Sequence, residues 1–515
     1  MENAIEILAR VQFAFTIMFH YLFPPLSIGL GTILVVMEGL YLKTKKPFFK
    51  DMCKFWVKVF ALNFSMGVAT GIVMQAEFGT NWATYSRFVG DIFGSALAAE
   101  GIFAFFLESG FLAILLFGWD RVSPRVHFFA TLMVCVGATF SAFWITVANS
   151  WMHTPAGFEI IQTALGPRAV IIDFWAMVFN PSAMWRFAHV VVGSWIVGAF
   201  FVMSISAFFV LKGRHLAFAK KSFVIALLLA MIATPLQGLI GSKQAEVMVK
   251  YNPSKMAAME GNFKTTDHAP FWIIGIPDET TGEIKYGVKV PGLLSYLATG
   301  SADGVVVGLE DIPSKDRPPV VVPFLAYHGM IGLGMYMMAL SFLGGFMLWR
   351  KKLFESKWLM RIFVISVAAP YLANQFGWVA SEVGRQPWIV WGLLRTSEAL
   401  SKAVHANAIV SSLIMFMLIY ALLFLVFIYS LDRKIKKGPE MHDENNGGGA
   451  SGNAAGTKGD EPYGEITLNN TDPADKPRKT SFLDGLRESD RDRLDASKHP
   501  EPGDNDGGDQ NGGTK

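Results

Sequence analysis

The chain has 515 residues, of which 52% are hydrophobic and 17% are charged, against the roughly 25% charged residues of an ordinary soluble domain. Apolar runs of about 20 residues recur along most of its length, which indicates an all-α, polytopic membrane protein and excludes a soluble globular one. The net charge of +3 is small and spread over loops, so it gives no nucleic-acid footprint. The two cysteines, Cys53 and Cys135, form no CxxC motif for metal or redox chemistry.

About nine candidate membrane spans follow one another along the chain. Each is long and apolar enough to cross a bilayer as a helix. They run over Phe15–Leu42, Phe55–Gln75, Ile92–Phe117, Val126–Ser150, Phe187–Leu211, Ser222–Gly241, Pro323–Leu348, Ile362–Glu382 and Ala403–Leu431.

Lysine and arginine are concentrated in alternate loops. They lie in Lys43–Lys54, Arg121–Arg125, Lys212–Lys221 and Arg350–Arg361, and again after the last span in Arg433–Lys437. Because basic loops remain on the cytoplasmic side, this alternation predicts an external N-terminus and a cytoplasmic C-terminus.

The remaining polar segments define the domain organisation. Residues 1–437 form one predicted transmembrane domain, which includes an external loop at 243–322. A loop of about 80 residues is usually functional or disordered. The segment 438–515 is rich in Gly, Asp, Asn and Pro and almost free of aromatic residues, which predicts a disordered cytoplasmic tail.

Two carboxylates on the third span require an explanation. Glu100 and Glu108 lie in an apolar stretch, where a charged side chain costs roughly 2.5–3.5 kcal/mol at the bilayer centre. Glu108 is about 12 Å deeper than Glu100 at 1.5 Å per residue. Each acid must therefore hold a proton, pair with a cation or ligate a metal.

Four further side chains share the outer half of the membrane with Glu100, namely His20, His189, Met330 and Glu382. Imidazole, thioether and carboxylate groups are all possible axial ligands of haem iron. A His–Met pair would saturate one iron, whereas a single ligand would leave a position for dioxygen. No CxxCH motif is present, so a haem would be non-covalent. These residues alone leave open a redox protein or a proton or cation transporter.

A series of motifs then narrows the choice. From Ile7 to about Leu431 the chain resembles subunit I of the cytochrome bd-type quinol oxidases, in the short-loop form. The resemblance is carried in order by Arg10–Ala14, Asn63–Gly71, Phe78–Trp82, Glu100–Gly101, Phe105–Ser109, Asn180–Pro181, Lys212–Arg214, Gly377–Trp378, Glu382 and Gly384–Trp388.

The resemblance implies three haems in the transmembrane domain. It implies that His189 and Met330 hold a low-spin haem b. It further implies two high-spin haems, one haem b and the other haem d or a third haem b, with His20 and Glu382 as ligands. Glu100 would lie at this dihaem active site, at or near the iron that binds oxygen.

Other positions acquire roles by the same resemblance. Glu108 and Ser109 match part of the proton route, which Ser141 on the fourth span is expected to join. Arg385 and Trp378 are expected to balance haem propionates or to conduct electrons.

The external loop resembles the quinol loop of the family. Lys255 and Glu260 match positions implicated in quinol binding, and a carboxylate can accept a quinol proton at an outside-facing site. The alternative is that both residues lie on a solvated helix face. His328, two residues before Met330, stands where the family pattern leads us to expect arginine, which unlike histidine is always charged.

Together these features predict a terminal respiratory oxidase subunit in the bacterial plasma (inner) membrane. It would oxidise quinol at the outer side and reduce dioxygen to water through the haems, building a proton gradient without pumping. The resemblance implies a subunit II as partner and allows a small single-span accessory subunit. The alternatives are a haem-free proton or cation transporter and a cytochrome b relay that does not reduce oxygen.

Overall fold

The computed structural model describes residues 2–441 and is mostly helical. The rest of the predicted tail, residues 442–515, lies outside the described residues. The helices are α1 Glu2–His20, α2 Pro24–Thr44, α3 Pro47–Thr80, α4 Ala83–Phe88, α5 Gly90–Ala99, α6 Phe106–Phe117, α7 Pro124–His153, α8 Phe174–Val178, α9 Ala183–Leu211, α10 Leu216–Tyr251, α11 Pro253–Glu260, α12 Leu293–Thr299, α13 Val321–Trp349, α14 Lys357–Ile365, α15 Ala368–Val383 and α16 Ala406–Lys437. The strands pair as antiparallel hairpins, β1 Phe158–Thr163 with β2 Gly166–Ile171, β3 Phe271–Asp278 with β4 Glu283–Val290, and β5 Trp388–Val390 with β6 Leu394–Arg395.

Nine helical stretches within residues 2–441 are long and apolar enough to cross a membrane, which confirms the predicted number. Six of them are the single helices α3, α7, α9, α10, α13 and α16, and three are composite. Several extend well past the predicted ends; α10, for instance, continues to Tyr251.

The first predicted span is not one continuous helix. Helix α1 ends at His20, and α2 begins at Pro24 after a break over residues 21–23. The physical reason is the Pro24-Pro25 pair, since proline lacks the N–H that a continuing helix would need and disfavours helical backbone in the residue before it. The break places His20 at a helix end, at the opposite end of α2 from the basic loop after Thr44.

The third and eighth predicted spans also contain irregular backbone. Between α5 and α6 the segment Glu100–Phe105 forms a π-helix, a form that is rare and frequent at functional sites. The eighth span is divided into α14 and α15 at Ser366 and Val367. Both interruptions lie inside helices that carry candidate site residues.

Helix α9 is the most enclosed of the spans, and α16 is the least. Helices α2 and α9 cross at Gly29 and Gly198, where a methyl group added to Gly29 would lie 2.1 Å from the Ser194 carbonyl oxygen. Small residues are what permit such close backbone approach between membrane helices. The largest apolar core surrounds this crossing and includes side chains of α3, α10 and α14.

The segment predicted as a loop at 243–322 is folded over most of its length. It contains the end of α10, the short helix α11, the β3–β4 hairpin and α12. Helix α11 packs against α13 through Met259 and Ala326. This packing brings Lys255 and Glu260 against the ends of the membrane helices.

Candidate functional site

Glu100 is the first residue of the π-helix and Glu108 follows it on α6, and the two carboxylates have different surroundings. The Glu100 carboxylate accepts a hydrogen bond from the Ser141 hydroxyl of α7 at 2.8 Å. Glu108 is 6% exposed and packs against Gly137 of α7, where an added methyl group would lie 2.5 Å from its Cγ. Helix α7 therefore contacts both acids, through Ser141 at Glu100 and through Gly137 at Glu108.

The structure does not place Ser109 beside Glu100 and Glu108 at the contact with α7. Its side chain is exposed on α6, and its hydroxyl lies 3.5 Å from the Phe106 carbonyl oxygen of its own helix. Ser109 thus faces the outside of this subunit, where lipid or a partner chain would contact it.

His20 ends α1 beside the small residues of α3. Its Nδ1 lies 2.9 Å from the Thr70 hydroxyl, which orients the ring. A methyl group on Gly71 would lie 3.3 Å from His20 Cε1, so glycine leaves the ring room at this point. Tyr21 in the adjacent break stacks on Trp378 of α15, with ring centroids 6.0 Å apart. Trp378 therefore packs against the residue that follows His20 in the sequence.

His189 and Met330 each pack on a glycine of a neighbouring helix. His189 lies beside Gly241 of α10, and its Nδ1 is buried with no hydrogen-bond partner. Met330 lies over Gly377, where an added methyl group would lie 2.8 Å from its sulfur. A buried ring nitrogen without a hydrogen-bond partner and a thioether beside a glycine are both compatible with axial ligation of a haem iron.

Glu382 lies at the centre of a polar cluster. One carboxylate oxygen accepts from the Asn149 amide at 3.2 Å and lies 3.3 Å from His153 Nε2. The other accepts from the Arg385 guanidinium at 2.5 Å. Arg186 binds the same Asn149 at 3.1 Å.

Lys255 joins this cluster from the external segment. It is 1% exposed, so the alternative of a solvated helix face is wrong for this residue. Its ammonium lies 3.3 Å from His153 Nδ1 and donates to the Ser381 hydroxyl at 3.2 Å. Desolvation by burial, with Arg186 and Arg385 nearby, lowers the pKa of Lys255 well below its usual value.

Glu260, at the other end of α11, is also 1% exposed and meets a different set of groups. His328 Nε2 lies 3.9 Å from its carboxylate, and the Tyr327 side chain hydrogen-bonds to it. Burial raises the pKa of Glu260 from 4.5 to about 8, and the Tyr327 hydrogen bond partly opposes this. The histidine found where arginine was expected therefore lies beside Glu260, and neither His328 Nε2 nor the facing carboxylate oxygen makes a hydrogen bond within the described residues.

Sequence reasoning missed three members of the Glu382 cluster, namely His153, Arg186 and Asn149. His153 ends the fourth span at the same depth as Glu382, so the criterion applied to His20 could have found it. The role of Arg186 was harder to find because it lies among residues that read as an ordinary helix start.

The charges of this cluster bear on whether haem would fit. Three cationic side chains, Lys255, Arg385 and Arg186, surround one carboxylate, Glu382. Unbalanced buried cations are costly, and anionic propionate groups would balance them. Within residues 2–441 no three His, Cys, Asp or Glu residues converge as they would on a bare metal ion, and a haem needs only one or two axial ligands. The residues present thus fit haem.

Comparisons with known proteins agree with this chemistry. Residues 8–439 match the family model described as cytochrome bd terminal oxidase subunit I. The chain is 41% identical over 450 residues to cytochrome bd ubiquinol oxidase subunit 1 of Bacillus subtilis, covering 85% of this chain and 94% of that protein. It is 32% identical over 498 residues to cytochrome bd-II ubiquinol oxidase subunit 1 of Escherichia coli, covering 84% and 96%.

The fold is shared with a solved oxidase. The structure of bd oxidase from Geobacillus thermodenitrificans matches with a TM-score of 0.78 and 28% identity, covering 84% of this chain and 99% of that one. The chain therefore belongs to the cytochrome bd terminal oxidase subunit I family and is a multi-pass membrane subunit of a quinol oxidase.

Proposed function

We propose that this subunit oxidises quinol at the outer face of a bacterial plasma membrane and reduces dioxygen to water with protons drawn from the cytoplasm. The observation that carries the proposal is the contact chain from α11 to α15. Lys255 reaches His153, and His153 reaches Glu382, in two steps of 3.3 Å each. Lys255 of α11, which is expected to contact quinol, and Glu382, a candidate iron ligand, thus belong to one connected polar cluster.

The proposal assigns ligands to three haems. His189 and Met330 would hold a low-spin haem b, His20 and Glu382 would serve the high-spin pair, and Glu100 would face the oxygen-binding iron. One of the high-spin haems is haem b, and the other is haem d or a third haem b. When bound, these haems supply the electron transfer and oxygen reduction.

Residues of α11 would handle the quinol. Glu260 is the proposed acceptor for a hydroxyl proton, because a carboxyl group whose pKa is close to the operating pH can both take up and release protons. Lys255 would orient the headgroup oxygen by hydrogen bonding. Accepted protons leave to the outside, since α11 belongs to the segment between the sixth and seventh spans.

Protons for water would come from the opposite face. Glu108 is buried and lies on the side of Glu100 that faces the basic loops. It would pass protons outward to Glu100, which Ser141 orients. Charge would then cross the membrane without a pump, because the two reactions draw and release protons on opposite sides.

The other cations and the partner chain complete the proposal. Arg385 would balance haem propionates, and Trp378 would lie beside the His20 site. Subunit II of the oxidase is expected to cover apolar faces of this chain. A small single-span accessory subunit could bind in the same way.

A direct test is oxygen consumption by the purified complex of this chain with its subunit II, driven by quinol. Glu100→Gln should lower turnover at least about tenfold, which corresponds to about 1.4 kcal/mol of barrier. Glu246→Gln is the matched control, because Glu246 is an exposed carboxylate paired with Lys243. Full turnover in Glu100→Gln, or no quinol-driven oxygen consumption by the unaltered complex, would refute the proposal.

A further inference from the structure

A second buried polar cluster lies apart from the Glu382 cluster, at the end of the bundle that carries the basic loops. Glu38 of α2 and His127 of α7 are each 1% exposed, and Thr131 is 2% exposed. His127 Nδ1 lies 2.6 Å from one Glu38 oxygen, and the Thr131 hydroxyl donates to the other at 2.5 Å. Nothing in the oxidase mechanism so far uses these groups.

One atom of this cluster has no partner. His127 Nε2 is buried and makes no hydrogen bond within the described structure. A buried polar atom left unpaired costs free energy, and its presence in a folded protein points to an unseen water or a functional role. Because Nδ1 is engaged by Glu38, Nε2 is the free position through which a proton could enter.

The surroundings of His127 lead to the membrane surface. Its ring stacks on Trp119, with centroids 3.8 Å apart. The Lys50 ammonium lies 5.9 Å from the centre of the same Trp119 ring and pairs with Asp120 at 2.9 Å. Asp120 is exposed in the turn between α6 and α7. The partly exposed Trp119 ring thus lies in contact with His127 and beside the Lys50–Asp120 ion pair.

In the other direction, α7 carries polar groups toward Glu108. His127, Thr131 and Cys135 are four residues apart, so they share one face of the helix. Cys135 Sγ lies 3.7 Å from the Thr32 hydroxyl of α2. Gly137 follows on α7 and contacts Glu108 directly. From His127 to Gly137 the rise is about 15 Å at 1.5 Å per residue.

We propose that Glu38, His127 and Thr131 form the proton-uptake site that supplies Glu108. A proton from the basic-loop side binds His127 Nε2, the Nδ1 proton passes to Glu38, and Glu38 releases one proton inward. Thr131, Cys135 and Thr32, with water between them, conduct it to Glu108. One proton enters and one leaves, which restores the charge of the cluster but leaves the imidazole proton on Nε2. Rotation of the ring, which turns the protonated nitrogen toward Glu38, then resets the cluster for the next proton.

This inference rests on the proposed oxidase function, because the site supplies protons for the water that the enzyme forms. A purely structural reading of the Glu38–His127 pair makes a different prediction. A structural pair would change the amount of folded enzyme without changing the rate of proton delivery. Turnover per haem, measured in water and in D₂O, separates the two readings.

The test uses the purified two-subunit enzyme, with oxygen consumption normalised to haem absorption. Glu38→Gln should lower turnover at least about tenfold, in keeping with the contribution of a positioned proton carrier. Thr131→Val should lower it several-fold and increase the ratio of rates in water and D₂O. Glu38→Asp should recover much of the loss.

Thr146→Val is the matched control. Thr131 and Thr146 both lie on α7, and both donate to the carbonyl four residues earlier, but only Thr131 also reaches a carboxylate. Thr146→Val should keep the unaltered turnover and isotope ratio. If Glu38→Gln fails to assemble, Thr131→Val against Thr146→Val decides the question.

Two results would overturn the uptake site. The first is unaltered turnover and isotope ratio in both Glu38→Gln and Thr131→Val while the unaltered enzyme consumes oxygen normally, which leaves the proposed function standing. The second is an equal loss in Thr131→Val and Thr146→Val. An unaltered enzyme that consumes no oxygen with quinol would overturn the oxidase function and the uptake site together.

Discussion

Lys255 shows how one residue connects two parts of the molecule. A lysine on an external segment is normally solvated, and burying its ammonium costs free energy unless acceptors are present. Here it lies between His153 and Ser381, in a cluster whose carboxylate is Glu382. Its amino group donates to the Ser381 hydroxyl, and the same donor capacity would suit the proposed role of orienting a quinol oxygen.

Glu260 gives a prediction in pH. Its pKa is raised from 4.5 to about 8, because burial disfavours the charged form, so the carboxyl group is mainly protonated at pH 7. Only the ionised form accepts a proton, so quinol oxidation should accelerate as pH rises from about 6 to about 8.

Glu260→Gln should lower the rate and remove this rise. The measurement is the initial rate of quinol oxidation against pH at fixed quinol concentration. The control is Glu246→Gln, whose pH profile should match that of the unaltered enzyme. A Glu260→Gln profile with the same rise would remove Glu260 from proton acceptance.

At the scale of elements, the contact between α6 and α7 sets the position of Glu108. Gly137 is required there because any side chain would collide with Glu108 Cγ. Gly137→Ala should therefore displace the carboxylate and lower turnover several-fold, while haem absorption and subunit assembly remain intact.

The matched control is Gly334→Ala on α13, where an added methyl group meets nothing within 4 Å. That variant should behave as the unaltered enzyme in oxygen consumption per haem. Unaltered turnover in Gly137→Ala would show that the packing of Glu108 against α7 does not matter for proton delivery.

The elements also show what sequence reasoning could and could not predict. Hydropathy was sufficient to predict the number of membrane-spanning helices, because only long apolar helices can cross the bilayer core. The break before Pro24 was readable from the two prolines but was missed. The π-helix at Glu100 was not readable, since it depends on how α5 and α6 fit against α7.

The candidate residues divide in the same way. His20, Glu100, His189 and Glu382 could be proposed from the sequence because polar groups in apolar spans are conspicuous, and their roles stay predictions. The burial of Lys255 could not be predicted, because local composition cannot reveal that α11 folds back onto the membrane helices. His153 connects the two sets, and only the assembled fold brings it to Glu382.

At the scale of the whole molecule, the two ends of the helix bundle carry different clusters of buried polar side chains. The Glu382 cluster and α11 lie at the end opposite the basic loops, and the Glu38–His127 cluster lies at the end that carries them. Basic loops mark the cytoplasmic side. With the proposed orientation, quinol protons would leave outside and protons for water would enter from the inside, so turnover itself would build the gradient.

The central claim is that the polar side chains of the outer half hold three haems. The measurement that tests it most directly is the reduced-minus-oxidised absorption spectrum of the purified complex, unaltered and with His189→Ala. His405→Ala, which changes an exposed histidine, is the matched control.

We expect mixed low-spin and high-spin haem bands in the unaltered and control proteins, and the selective loss of the low-spin band in His189→Ala. An absence of haem bands would instead indicate a transporter, and a single low-spin haem would indicate an electron relay. Either spectrum, or an unchanged one in His189→Ala, would contradict the account.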